Sequence, residues 1–243
     1  MKINILTLFP EMFAPIFASM IGRACENKII EFNIVNIRDY TKDKHNRVDD
    51  TPYGGGMGMV MEAQPILDAY SENGFGGKGI YMSPRGEMLS MDMAENLSHE
   101  AEITILCGHY EGVDNRVLEK LDMKEISIGD YIITGGELAA MVMIDVVARF
   151  IDGVIGNKES VTNESIYSGL LEASQYTKPR EYENMQVPEV LLSGNHEEIR
   201  LWKFKESLII TKERRPDLFE KFLKENNNFS KKEKKIINDI IEN

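Results

Sequence analysis

Ile103-Thr104-Ile105-Leu106-Cys107-Gly108-His109-Tyr110-Glu111-Gly112 reads as a short apolar strand closed by a glycine turn. Residues 113–121 then read as a helix, and residues 125–128 as a second strand. The loop Gly129-Asp130-Tyr131-Ile132-Ile133-Thr134-Gly135-Gly136 leads into a long apolar helix over residues 137–150. Strand, helix, strand, helix is the rhythm of an α/β sheet.

The same rhythm continues upstream. Residues 2–8 form a candidate buried strand with Ile3, Ile5, Leu6 and Leu8, closed by Phe9-Pro10. Residues 11–25 carry Met12, Ile16, Phe17, Met20 and Ile21 at helical spacing. Residues 30–37 alternate like a strand, 62–70 look helical, 79–83 extended and 91–97 helical. An α/β domain with a mostly parallel sheet is therefore predicted over residues 1–152. Residues 38–61 have no periodicity and are rich in Asp, Gly and Lys, and a loop of that length inside a compact domain is commonly functional.

Downstream the pattern changes. Residues 153–179 are polar and read as a linker. Residues 180–243 predict a small helical domain. One helix starts at the candidate cap Asn195, with Glu198 three positions on, and another covers residues 216–224. A third follows the capping box Ser230-x-x-Glu233, before Ile236, Ile237, Ile240 and Ile241.

The chain has 243 residues, 42% of them hydrophobic, which excludes global disorder. Asp and Glu outnumber Lys and Arg 40 to 28, giving a formal charge of -12. That excludes a uniformly basic nucleic-acid-binding surface but not a local one. Residues 201–215 are such a local patch: Lys203, Lys205, Lys212, Arg214 and Arg215 face Glu206 and Glu213. Trp202 lies among them and is expected to pack in the core; Lys231, Lys232, Lys234 and Lys235 are expected on a solvated helix face. Cys25 and Cys107 are too few for a disulfide scaffold, and the four histidines form no H-x-x-x-H pair, so no dedicated metal site is expected. No run reaches the ~18 apolar residues of a membrane span. A soluble cytoplasmic protein is expected.

Two glycine-rich segments invite misreading. Gly74-Phe75-Gly76-Gly77-Lys78-Gly79 fits the dinucleotide fingerprint in letters, but it precedes a strand instead of following one, so a turn is expected. Tyr53-Gly54-Gly55-Gly56-Met57-Gly58-Met59 has no Gly-Lys-Ser/Thr and is no phosphate loop. It is either a solvated loop or one that contacts RNA or a base. Three further segments sit at predicted strand ends, where ligands of open α/β sheets collect. They are residues 81–86, 107–112 and 128–137. Their glycines expose backbone groups suited to an adenine edge, and Tyr or Ile can cover its face.

Several motifs together carry a resemblance. Phe9-Pro10-Glu11-Met12-Phe13, Pro52-Tyr53-Gly54-Gly55-Gly56, Gly108-His109-Tyr110-Glu111-Gly112, Ser127-Ile128-Gly129-Asp130-Tyr131, Gly135-Gly136-Glu137-Leu138 and Leu191-Leu192-Ser193-Gly194-Asn195-His196 occur in order over residues 1 to about 225. The chain resembles bacterial tRNA (guanine-N1-)-methyltransferases. The resemblance implies a SPOUT-type fold with a deep trefoil knot and a helical C-terminal domain. It also implies a homodimer with active sites at the subunit interface. S-adenosyl-L-methionine is the implied donor, and the acceptor is N1 of the guanine 3′ to the anticodon, position 37 of the tRNA. Participation of Mg2+ stays open.

The implied donor pocket comprises Tyr81, Met82, Ser83, Pro84, Gly108, Tyr110, Glu111, Gly112, Ile128, Gly129, Asp130, Tyr131, Ile132, Ile133, Gly135 and Gly136. Guanine N1 carries a proton, so a carboxylate must take it, while a cation near O6 stabilises the developing charge. The family's acid position falls on Glu164, where Asp is usual, and its Arg on Arg149. The plainer readings are a solvated linker residue and a helix-end cation favoured by the macrodipole. Asp49 and Gly58 match positions lining the guanine pocket. Lys203, Arg214 and Arg215 are expected phosphate contacts. His109 stands where many members have Arg, which is expected to alter a phosphate contact; Ala139 stands for a frequent Pro. Two alternatives remain: a SPOUT-type RNA methyltransferase acting on another base, and a non-catalytic RNA-binding module.

Overall fold

The computed structural model describes residues 1–155 and 169–242. Its chain divides into two compact units, Met1–Lys158 and Glu159–Asn243.

The first unit is built on a five-stranded sheet. Its strands are β1 (Lys2–Thr7), β2 (Glu31–Asn36), β5 (Lys78–Met88), β6 (Glu102–Cys107) and β7 (Lys124–Ser127), in the order β2-β1-β6-β5-β7. Every adjacent pair is parallel. The central strands β1 and β6 and residues 79–83 of β5 are buried on both faces, as a parallel sheet covered by helices requires. Ile103, Ile105 and Cys107 point into one apolar cluster and Leu106 into the other, following the two-residue period of a strand. The first cluster is completed by α3 (Met91–Ser98) and the apolar helix α5 (Gly136–Ala148), and the second by α2 (Ala63–Glu72) and α4 (Asn115–Lys120). The expected mostly parallel α/β sheet is thus observed.

Three expectations change in detail. Residues 11–25 do not form one helix. A 3-10 helix, Pro10–Ala18, gives way at the extended Ser19 to α1 (Met20–Glu26). Pro15 lies inside the first segment and has no N–H to donate, so continuous α-helical bonding is excluded there. The aperiodic stretch 38–61 contains a two-stranded hairpin of β3 (Asp49–Asp50) and β4 (Val60–Met61). Strand β5 runs well beyond the predicted residue 83, to Met88. Its register against β7 shifts between Met82 and Glu87. The literal G-x-G-x-x-G is the turn expected: Gly74 and Gly77 both have positive φ just before β5.

The second unit opens with a hairpin of β8 (Glu181–Tyr182) and β9 (Met185–Gln186). It continues with α6 (Glu189–Leu192), α7 (His196–Arg214), α8 (Pro216–Glu225) and α9 (Lys231–Glu242). Leu170, Leu208, Phe219, Phe222, Ile237 and Ile240 form its core. Leu170 comes from the polar stretch read as linker, and the neighbouring Leu171 N–H donates to Thr211 Oγ1 at 2.9 Å. Asn195 caps α7 by accepting the Glu198 N–H, as expected. The Ser230–Glu233 capping box forms in both directions, at 2.8 and 3.3 Å. Trp202 is half-buried against Tyr176, with ring centroids 6.3 Å apart, outside the main cluster.

Candidate active site

Strands β6, β5 and β7 are neighbours, so the bulge within β5 and the loops that follow β6 and β7 open at one end of the sheet. The bulge in β5 widens this opening. Ile126 faces both Met82 and Glu87, so Ser83, Pro84, Arg85 and Gly86 leave the ladder between them. Pro84 lacks a ladder donor and suits that position. The three loops enclose a cavity of about 370 Å3, within the range of small-molecule sites.

Fifteen of the sixteen residues assigned to a donor pocket line this cavity: Tyr81, Met82, Ser83, Pro84, Gly108, Tyr110, Glu111, Gly112, Ile128, Gly129, Tyr131, Ile132, Ile133, Gly135 and Gly136. Asp130, the sixteenth, does not. Sequence reading missed Arg85, His109, Asn115, Ser127 and Thr134, which also contribute. All but Asn115, which opens α4, were inside quoted motifs, where a polar side chain was the signal available.

The walls are fastened by backbone bonds. Gly136 N–H donates to Gly108 O at 2.9 Å, and His109 and Gly135 pair as an isolated antiparallel bridge. The Tyr81 ring lies over Gly108, where a Cβ would sit 2.8 Å from the ring. Burial and then the Glu125 charge push the Tyr81 phenol above its ordinary pKa, so it is a donor at neutral pH. Burial pushes the Cys107 thiol well up, with the Glu137 charge adding to it.

The β3–β4 hairpin is sewn to the same wall. Met61 N–H donates to Gly112 O at 2.9 Å, Glu111 N–H to Met59 O at 2.9 Å, and Asp114 N–H to Met61 O at 3.0 Å. Asp49 lies in β3. Gly58 has a φ of +89°, and a Cβ there would collide with the Glu111 side chain. Tyr53 and Met57 project fully into solvent from this loop.

His109 does not reach out toward a phosphate. Its Nε2 lies 2.7 Å from Glu137 Oε2, and its side chain is 14% exposed. The imidazole of His109 is thus held internally, on a buried carboxylate.

The two catalytic assignments fare differently. Arg149 is half-buried at the C-terminal end of α5, whose first residue, Gly136, is on the cavity wall. The 13 residues of α5 rise about 20 Å, so one chain does not bring Arg149 to its own cavity. Glu164 lies outside the described residues. In the second unit Lys203 and Arg214 are exposed on α7, and Arg215 pairs with Asp217 at 2.7 Å. Among the described residues no three His, Cys, Asp or Glu side chains gather to hold a metal ion. No described helix is long and apolar enough to cross a membrane.

Comparison with known proteins agrees with this geometry. Residues 1–221 match the family described as tRNA (Guanine-1)-methyltransferase TrmD. A tRNA (guanine-N(1)-)-methyltransferase of Clostridium perfringens is 56% identical over 223 residues, covering 91% of this chain and 94% of that protein. Proteins of the same name from Ruminiclostridium cellulolyticum and Clostridium botulinum are 52% and 51% identical, covering 93% and 99% of this chain and 99% and 98% of theirs. With the match running through every loop of the cavity, the chain belongs to the tRNA (guanine-1)-methyltransferase family.

Proposed function

We propose that this protein methylates N1 of a tRNA guanine, the one on the 3′ side of the anticodon at position 37, using S-adenosyl-L-methionine. The cavity formed by the β5 bulge and the loops after β6 and β7 carries this reading. Its residues fit the donor. Glycine backbone and the Tyr81 hydroxyl can meet an adenosine by hydrogen bonding, and Ile132 and Ile133 can cover a base. Glu111 gives the wall a negative charge suited to a cationic sulfonium. When bound, the donor supplies an electrophilic methyl carbon on positively charged sulfur.

The acceptor side needs proton removal. Glu164 takes the proton from guanine N1, which frees the lone pair that attacks. Arg149 stabilises the charge that spreads to O6. Asp49 and Gly58, on the hairpin fastened to the cavity wall, bound the guanine site. Lys203, Arg214 and Arg215 hold phosphates, making binding salt-dependent.

The active unit is a homodimer. The distance of Arg149 from its own cavity supports this, because a second copy can supply it. So does the outward face of α5, where Leu138 and Val142 are 49% and 46% exposed, and the nearby exposed Phe17 and Met20. Each is an apolar side chain that a partner would cover. The SPOUT-type knot is supported by the close passage of residues 135–136 against 107–108. Acting on tRNA, the enzyme works in the cytoplasm.

Labelled S-adenosyl-L-methionine and tRNA transcripts carrying guanine or adenine at position 37 test the reading, with the product base identified by mass spectrometry. N1-methylguanine should form only with guanine. Glu164→Gln should lower the rate roughly 100- to 10,000-fold while leaving donor affinity intact. A variant as fast as wild type would remove Glu164 from the mechanism.

A further inference from the structure

Unlike Asp145, the exposed other carboxylate of α5, Glu137 is completely buried, and it is the one charged side chain in the first turn of that helix. Both of its oxygens are engaged. Thr7 Oγ1 donates to Oε1 at 2.6 Å, and His109 Nε2 lies 2.7 Å from Oε2. The Thr7 hydroxyl also accepts the Phe9 N–H at 2.9 Å, which turns its own hydrogen toward the carboxylate. Phe9 packs edge-on against the imidazole, with centroids 4.9 Å apart. Among the described residues, His109 is the basic side chain within ion-pair distance of Glu137.

This contact lies directly beneath the cavity wall. A Cβ on Gly135 would run into the His109 imidazole and come within 2.6 Å of Glu137 Oε2. His109 belongs to the loop after β6, and Glu137 to the start of α5, directly after Gly135 and Gly136. The pair therefore ties together two adjoining segments of the cavity wall. A buried carboxylate that loses its partner bears a desolvation cost, so loss of the imidazole favours a shift of the α5 start against the loop after β6. Such a shift would move Gly135 and Gly136 against Gly108.

We propose that His109 is a positioning residue for the methyl donor, acting through its Nε2 contact with buried Glu137 to fix the spacing of these two wall segments. Thr7 completes the device by holding the other carboxylate oxygen. The proposal rests on the reading of this cavity as the donor site. It concerns donor binding and leaves the tRNA surface untouched.

Calorimetric titration of the full-length protein with S-adenosyl-L-methionine, alongside filter binding of tRNA, tests it. His109→Ala should raise the donor Kd about tenfold or more and leave the tRNA Kd within about twofold. His109→Gln, which restores an N–H donor, should recover most of the donor affinity. Thr7→Val keeps the volume and should weaken the donor less than His109→Ala. It serves as the decisive variant if His109→Ala does not fold. Wild-type donor affinity in His109→Ala, or in Thr7→Val where that is the decisive variant, overturns the proposal. Equal weakness of the Gln and Ala variants also does. A wild-type protein that binds no donor overturns both the cavity reading and the clamp, whereas unchanged variants of a donor-binding wild type overturn the clamp alone.

Discussion

Gly58 shows how much a single missing side chain can matter. Its φ of +89° is the left-handed region where L residues are strained, and the space beside it is filled by Glu111. An alanine there must push Glu111, which lines the cavity, or shift the hairpin fastened to it through Met59. Gly58→Ala is expected to lower kcat/KM for tRNA about tenfold or more, since small displacements near reacting groups are costly. The loop lies outside both apolar clusters, so global stability should fall by only about 1–3 kcal/mol. Steady-state kinetics with a parallel denaturation curve checks both. At this scale the sequence was informative about identity and silent about neighbours. The donor-pocket glycines were visible as motifs. Glu137 stood in plain sight within one of them, but its pairing with His109 and Thr7 joins residues far apart in the chain.

Among the elements, α9 is the best test of local electrostatics. Glu233 closes its capping box and also accepts from Arg200 Nη1 at 2.6 Å. The Arg200 contact, then the bonds from Ser230, hold this carboxyl down to about 2. Because the folded value is depressed, the stabilisation is complete above about 4.5, the ordinary value, and is lost as pH falls toward 2. Glu233→Gln should therefore flatten the stability profile of the second unit between those limits. Urea unfolding at pH 7 and pH 3, read by Trp202 fluorescence, measures it. Trp202 is the chain's one tryptophan and reports on this unit alone. If wild type and variant lose stability equally over that interval, the capping carboxylate is not responsible. The box itself was legible because capping is a rule about residues three apart. The break in the helix of residues 11–25 was less so: apolar spacing survived across Ser19, and Pro15 was outweighed by it. The bulge in β5 was not legible at all, since register belongs to two strands together.

For the whole molecule, assembly is the property most open to attack by one substitution. Leu138→Asp places a charge on the exposed face of α5 without entering the core. On the proposed homodimer it should yield monomers in sedimentation velocity and abolish methyl transfer, because that proposal takes Arg149 from the second copy. A dimeric, active variant would refute that arrangement. The acidic total of -12 also acquires a meaning at this scale. The acidic chain carries a basic cluster on α7, so attraction to RNA is local and rests on few contacts.

The sheet order has a further consequence, for synthesis. β1 is made first, yet it sits between β2 and β6, and Lys2 pairs with Glu102. While the ribosome is still working, β1 and β2 can meet only as a two-stranded ribbon, with the flank that β6 will occupy bare. Non-local parallel pairing of this kind is slow and leaves such edges prone to association. The nascent chain therefore passes through an interval in which an apolar central strand is unguarded. Chaperone demand should peak before residue 107 has left the exit tunnel and fall once β6 docks.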